Sequence, residues 1–304
     1  MSAQAVLFDA PGPRARARHR ILTVLGALLV LAVAFVVVRK MNDAGQLDSA
    51  LWTPFLTDPA VWSEYLLLGL WATVKAAVFS IALAGAFGLL FGTGRLSHNA
   101  AVRWACGVIV EFFRAVPVLI MMLFLGFGVY PTIDAIPDSQ VPLVAVVTAL
   151  TLYNGSVVAE LVRAGVRNLP KGQGEAGLSI GLTRGQTLRL VQLPQALRHM
   201  LPALIGQFVV ALKDSALGYA ILYQELLTWG KTLGSAYSNT VPAYLVVALM
   251  FILLNVGLTH LAMAVDRRMS RRLGDQGAAG PLATGPEPEL EVLHAAPPPG
   301  RTQP

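Results

Sequence analysis

Charge is scarce in this chain of 304 residues: Asp, Glu, Lys and Arg make up 13%, while hydrophobic residues reach 55%. An ordinary soluble domain carries roughly twice that share of charge, so the composition excludes a soluble fold and points to a membrane protein. Cysteine is nearly absent. Cys106 alone rules out an internal disulfide and a cysteine-based zinc cluster, and it lies within an apolar run as a small core residue. His19, His98, His199, His260 and His294 show no paired metal-ligand spacing, so no metal site and no cofactor is expected. The chain also lacks a G-x-x-x-x-G-K-[ST] loop, whose backbone amides and lysine would cradle phosphates, so it does not bind ATP itself. The net charge is +6, yet the basic residues border apolar runs instead of forming one patch. That distribution suits a lipid bilayer and argues against nucleic acid. There is no short internal repeat and no soluble domain.

What is present is a series of long apolar runs. A span needs about 20 predominantly apolar residues, and six stretches qualify: 21–38, 62–92, 104–130, 141–162, 200–225 and 241–265. The fold class is therefore all-α and polytopic, with both termini on one side. With those termini inside, sixteen Lys and Arg residues flank the inner ends, from Arg14 through Arg95, Arg163 and Arg184 to Arg272. Only Arg39, Lys40 and Lys231 flank the outer ends, and the positive-inside rule places the termini in the cytoplasm. Residues 1–20 form a basic cytoplasmic segment. The first run, "ILTVLGALLVLAVAFVVV", is followed by "RKMNDAGQ" rather than a small-x-small cleavage site, and reads as an uncleaved anchor over 21–40. Residues 273–304, rich in Pro, Gly and Ala, read as a disordered cytoplasmic tail.

One cytoplasmic loop is unusual. From Lys171 to Gln195 the chain reads "KGQGEAGLSIGLTRGQTLRLVQLPQ". Pro170, Gly172 and Gly174 are expected to break the helix, after which Leu178, Ile180 and Leu182 give a short amphipathic helix at the inner surface. Pro194 and Pro202 are expected to bend the chain back into the membrane. Such a helix, held between two spans, can transmit force from a partner outside the membrane. Glu175, Ala176 and Gly177, then Gly181, then Leu193 and Pro194 resemble the EAA loop of ABC-importer permeases, with Gly177 and Val191 departing in residue type. Further stretches, "VEFFRAVPVLI", "YNGSVVAELVRAGV", "LPKGQGEA" and "ALKDSALGYAIL", extend the resemblance over 60–272. Together they are similar to permeases for polar amino acids of the histidine, glutamine and glutamate type, most of all actinobacterial glutamate permeases. The resemblance implies a core of five spans, so the anchor is an addition. It implies that 171–195 is a coupling helix seated on a cytoplasmic ABC ATPase dimer. It also implies a second permease subunit, identical or homologous, and an extracytoplasmic amino-acid-binding protein.

Charges within the spans mark the remaining candidates. Glu111 and Arg114, three apart within the run 104–130, share a helical face and can pair; Glu160, Arg163 and Arg167 repeat that spacing. Structural bracing is the preferred reading over substrate contact. Lys213 and Asp214 fall near the middle of the run 200–225, where each charge costs roughly 2.5–3.5 kcal/mol to insert unpaired, so both should face a polar cavity. Gln207 lies on the face of Asp214, and Ser215 adds a hydroxyl where the family resemblance implies a threonine or serine in the translocation path. The competing reading is a Lys213–Asp214 network that stiffens the bundle, although adjacent residues diverge by about 100°. An ion-coupled transporter or channel is the rival function, since Lys75, Glu111, Arg114, Lys213 and Asp214 would suit it too. A third class, hydrolysis by the G-x-S-x-G stretch Gly177–Gly181 with Asp214 and His260, lacks the required strand before the serine.

Overall fold

A computed structural model describes residues 12–277, and among them all regular structure is helical. Helix α1 (Pro13–Asp43) overruns the predicted anchor at both ends, and no residue of its apolar stretch is buried. Short turns at Ser49–Trp52 and Pro54–Thr57 and a π-helical turn at Val61–Leu66 lead into α2 (Leu67–Gly94). Helix α3 (Ala100–Ala115) is followed by α4 (Val118–Leu123), which continues as helical turns to Thr132. Helix α5 (Val141–Arg167) then precedes the short α6 (Lys171–Ser179). A second arm begins at Arg184 and passes through a π-helical turn at Thr187–Gln192 into α7 (Leu193–Asp214), ending as a 3-10 segment at Ser215–Ile221. Helices α8 (Leu226–Ala236) and α9 (Thr240–Gly277) complete the described chain. Its main body runs to Thr259, and a short second unit begins at His260.

Among the described residues five helical stretches are long and apolar enough to cross a membrane, or six if the bent pair α3 and α4 counts as one span. Helices α2 and α5 form the centre of the bundle. Their seam is built from small residues: Thr73, Ala77, Ser80, Ala84, Gly88 and Gly92 are buried along one face of α2. Between lipid-solvated helices, close approach of backbones replaces the hydrophobic drive of a soluble core. At Gly92 a β-carbon would lie 2.8 Å from Cβ of Val162 and 2.9 Å from the Ala159 carbonyl oxygen, so only glycine permits this contact. The hydroxyl of Ser80 is satisfied locally, donating to the Ala76 carbonyl at 2.7 Å. Apolar clusters lie along the bundle, one around Phe55, Leu66, Leu226 and Leu233, one around Met122, Val146, Leu150 and Ile221, and one around Val158, Val162, Ala196 and Met200.

Five sequence expectations are corrected. The predicted span 104–130 is not continuous: α3 and α4 meet at 96°. Pro117 offers no N–H and pushes Val116 to extended geometry (φ −80°, ψ 126°), which ends α3 although the apolar run continues. The predicted span 200–225 ends earlier, at Ile221, where Leu222 adopts a left-handed φ of 63°. Gly172 and Gly174 do not break a helix but lie inside α6, which begins directly after Pro170. Pro194 does not bend the chain sharply. The π-helical turn before it widens the helix where the proline ring would meet a preceding carbonyl, and the helical arm runs from Arg184 to Ile221. Of the predicted tail, residues 273–277 belong to α9, and the remainder lies outside the described residues.

Candidate functional site

The stretch 171–195 folds as two helical arms around a tight turn. Helix α6 ends as the Gly181 amide donates to the Leu178 carbonyl (3.0 Å) and the Leu182 amide to that of Gly177 (3.2 Å). Gly181 sits at φ +85° with nothing within 4 Å of where a β-carbon would be. Its glycine is required by backbone conformation, not by crowding within the chain. Thr183 then starts the second arm with a capping box: its hydroxyl accepts from the Gln186 amide, and the Gln186 side chain accepts from the Thr183 amide at 2.8 Å. Gly177 is buried against Thr187, where a β-carbon would lie 2.6 Å from Cγ2. The departure from the EAA pattern at this position therefore has a steric reason, since alanine would not fit opposite Thr187. Gln195 donates to Gln173 at 3.0 Å, joining the arms. Leu193 packs against the Val162 cluster, while Glu175, Ala176, Leu178, Ile180 and Pro194 are exposed.

Four of the five residues expected to brace the bundle, Glu111, Arg114, Glu160 and Arg163, form one ionic network, through a residue counted in the sequence only as a flanking cation. Arg95, which follows α2, places one guanidinium nitrogen 2.9 Å from Glu111 on α3 and the other 2.8 Å from Glu160 on α5. The contact to Glu160 is ionic and lacks hydrogen-bond geometry. Arg114 meets Glu111 at 3.1 Å, and Arg163 pairs closely with Glu160. Arg167, expected in the same set, forms no ion pair among the described residues.

The expected path residues are brought together only in part. Gln207 donates to buried Asn154 on α5 at 2.6 Å, a partner that sequence spacing did not single out. Asp214 is the last residue of α7, where the helix tightens to 3-10 geometry. It is half-buried and forms no ion pair with exposed Lys213, so the stiffening network is not present among the described residues. Ser215 is buried and its hydroxyl donates to the Leu212 carbonyl at 2.7 Å. Beyond the break, buried Glu225 caps α8, accepting from the amides of Leu227 and Thr228 at 2.7 Å each. Tyr223 donates to the Ala72 carbonyl at 2.7 Å, and Thr73 accepts from the Leu226 amide at 3.0 Å, fixing the break to α2. At this same end of the bundle Asp58 accepts from Tyr237 at 2.6 Å and from the Ala60 amide at 2.9 Å. These two bonds, that of Tyr237 first, hold the Asp58 carboxyl below its usual range, and Asp58 pushes the Tyr237 hydroxyl up to about 12.

Residues 84–271 match the family described as the binding-protein-dependent transport system inner membrane component. The chain belongs to this family. The permease is 45% identical, over 83% of its length and 92% of the relative's, to the glutamate transport system permease protein GluD of Corynebacterium glutamicum. It is 32% identical to a probable glutamine ABC transporter permease protein GlnP of Bacillus subtilis, over 69% of its own length and 94% of the relative's. Its fold matches a chain in a crystal structure of an amino acid ABC transporter with histidines, with a TM-score of 0.61 and 26% identity over 68% of this permease and 95% of that chain. It is the membrane-spanning subunit of an amino-acid ABC importer.

Proposed function

We propose that this permease imports glutamate, with ATP hydrolysed by a separate cytoplasmic ATPase dimer that pulls on α6 and the arm following it. The 45% identity to a glutamate permease over nearly the whole relative carries the substrate assignment. The coupling assignment is supported by the division of labour within the loop: Gly177 is buried against Thr187, while Glu175, Ala176, Leu178 and Ile180 are exposed. The inner face of the membrane then carries the coupling loop and both termini, and the short outer connections receive a binding protein loaded with amino acid. A second permease subunit, identical or homologous, completes the pathway. Asp214 and Ser215 lie at the break in α7, where a discontinuous helix places backbone polar groups at depth, and Asp214 is assigned to hold the α-amino group of the substrate.

Uptake of labelled glutamate by cells carrying the whole importer tests both parts. Gly181→Asp forces a side chain into a left-handed backbone and onto the exposed turn, so uptake should collapse while membrane insertion persists. Full uptake in that variant, or uptake that survives removal of the ATPase, would overturn the coupling reading. Preference for another amino acid in the wild type would overturn glutamate alone.

A further inference from the structure

An open groove of about 880 Å³ lies between the connection from α2 to α3 and the coupling arms. Arg167, Lys171, Arg184 and Arg189 line it, with His98 among them, and Glu175 is the sole acid in the lining. None of the four cations is in an ion pair, because every ion pair among the described residues belongs to the Arg95 network. Arg184 approaches the ring of His98 at 3.4 Å. The positive-inside rule accounts for cations near the inner surface. It does not account for the end of α5, the start of α6 and the second coupling arm turning all four cations toward one concavity with a single acid among them. Positive charge lining a concave surface focuses the field and concentrates anions there.

Exposed apolar side chains share the groove. Leu90 and Val102 line it and are 68% and 42% exposed. Leu90 belongs to the membrane-spanning stretch Val61–Gly94. The concavity thus presents cations together with an apolar surface on a membrane helix, a combination that suits an amphiphile with an anionic head better than a free ion. We propose that this groove binds a phosphate-bearing anion, and that its source is the headgroup of an anionic phospholipid from the inner leaflet. The leaflet rests on the orientation given under Proposed function; the groove and its charge do not.

The test is a titration of the assembled importer, delipidated in detergent, with phosphatidylglycerol, phosphatidylcholine or inorganic phosphate, the bound species being counted by native mass spectrometry. Phosphatidylglycerol should be retained and the other two should not. A cation near an anionic headgroup contributes about a five-fold change in association, so Arg184→Gln combined with Arg189→Gln should weaken retention about 25-fold. Glu175→Gln should strengthen it, and Arg14→Gln combined with Arg18→Gln should leave it unchanged. Equal retention of phosphatidylglycerol by the groove variant, or none by the wild type, overturns the site. Retention of inorganic phosphate that the groove variant loses overturns the lipid source and assigns a soluble anion. Should the groove variant fail to assemble, the same titration on the full chain alone separates the same outcomes. Uptake is not the readout, so loss of this site leaves the transport assignment standing.

Discussion

Helices α1 and α5 are both long enough to span a bilayer, yet they are opposites in every other respect. The apolar stretch of α1 is the most hydrophobic in the chain and none of it is buried, whereas half of the corresponding window in α5 is buried. Helix α5 is less apolar because it carries what a protein neighbour needs: Ala145, Ala149, Asn154, Gly155, Ser156 and Ala159 are all buried. In lipid, then, hydropathy reports the faces that meet acyl chains, while small and weakly polar residues report the faces that meet protein.

That contrast is most sharply tested at its glycines. Gly88→Leu or Gly92→Leu should disrupt the seam between α2 and α5 by about 1–3 kcal/mol each or more, through overpacking. Gly26→Leu in α1, where nothing lies within 4 Å, should be tolerated. Thermal unfolding of the purified chain in detergent compares the two, and equal losses would erase the distinction. Asp214→Asn should leave assembly intact while lowering glutamate uptake or altering the preferred amino acid. Unchanged uptake kinetics and selectivity would return Asp214 to a packing role.

Smaller effects are expected at the periphery. Because the Asp58 pKa is lowered in the folded protein, its bond to Tyr237 contributes stability above the ordinary carboxylate pKa of about 4 and loses it as pH falls through the lowered value. The Tyr237 pKa is raised, so its share is present below about 10 and is lost as pH rises through about 12. The difference in unfolding midpoint between wild type and Tyr237→Phe should therefore be small near neutrality and vanish at both extremes. A constant difference across pH would show that the ring, not the hydrogen bond, matters. The smallest effect belongs to α1: a chain beginning at residue 44 should retain uptake within about twofold, as expected where none of the apolar stretch removed is buried.

Much of the fold was legible because long apolar runs and flanking cations are local signals. The break at Pro117 was less so, since the proline sits inside a run that stays apolar on both sides, and hydropathy cannot register a missing N–H. The EAA spacing singled out the stretch 171–195, and the stereochemistry of Gly181 accounts for the glycine there. Glu225 had no sequence signal because its partners are two backbone amides and the hydroxyl of nearby Thr228, and Asn154 could not be paired with Gln207 before the two helices were placed side by side. Arg95 was visible as a charge but not as a partner, since the carboxylates it serves lie on two other helices.

A single guanidinium shared by two carboxylates behaves like a pinned joint. Arg95 is fastened to the end of α2, and its two nitrogens engage Glu111 and Glu160 separately. Sliding α3 against α5 must pull one carboxylate away from a nitrogen that cannot follow without releasing the other. The low-effort displacement is therefore one in which the ends of all three helices tilt together as a single lever.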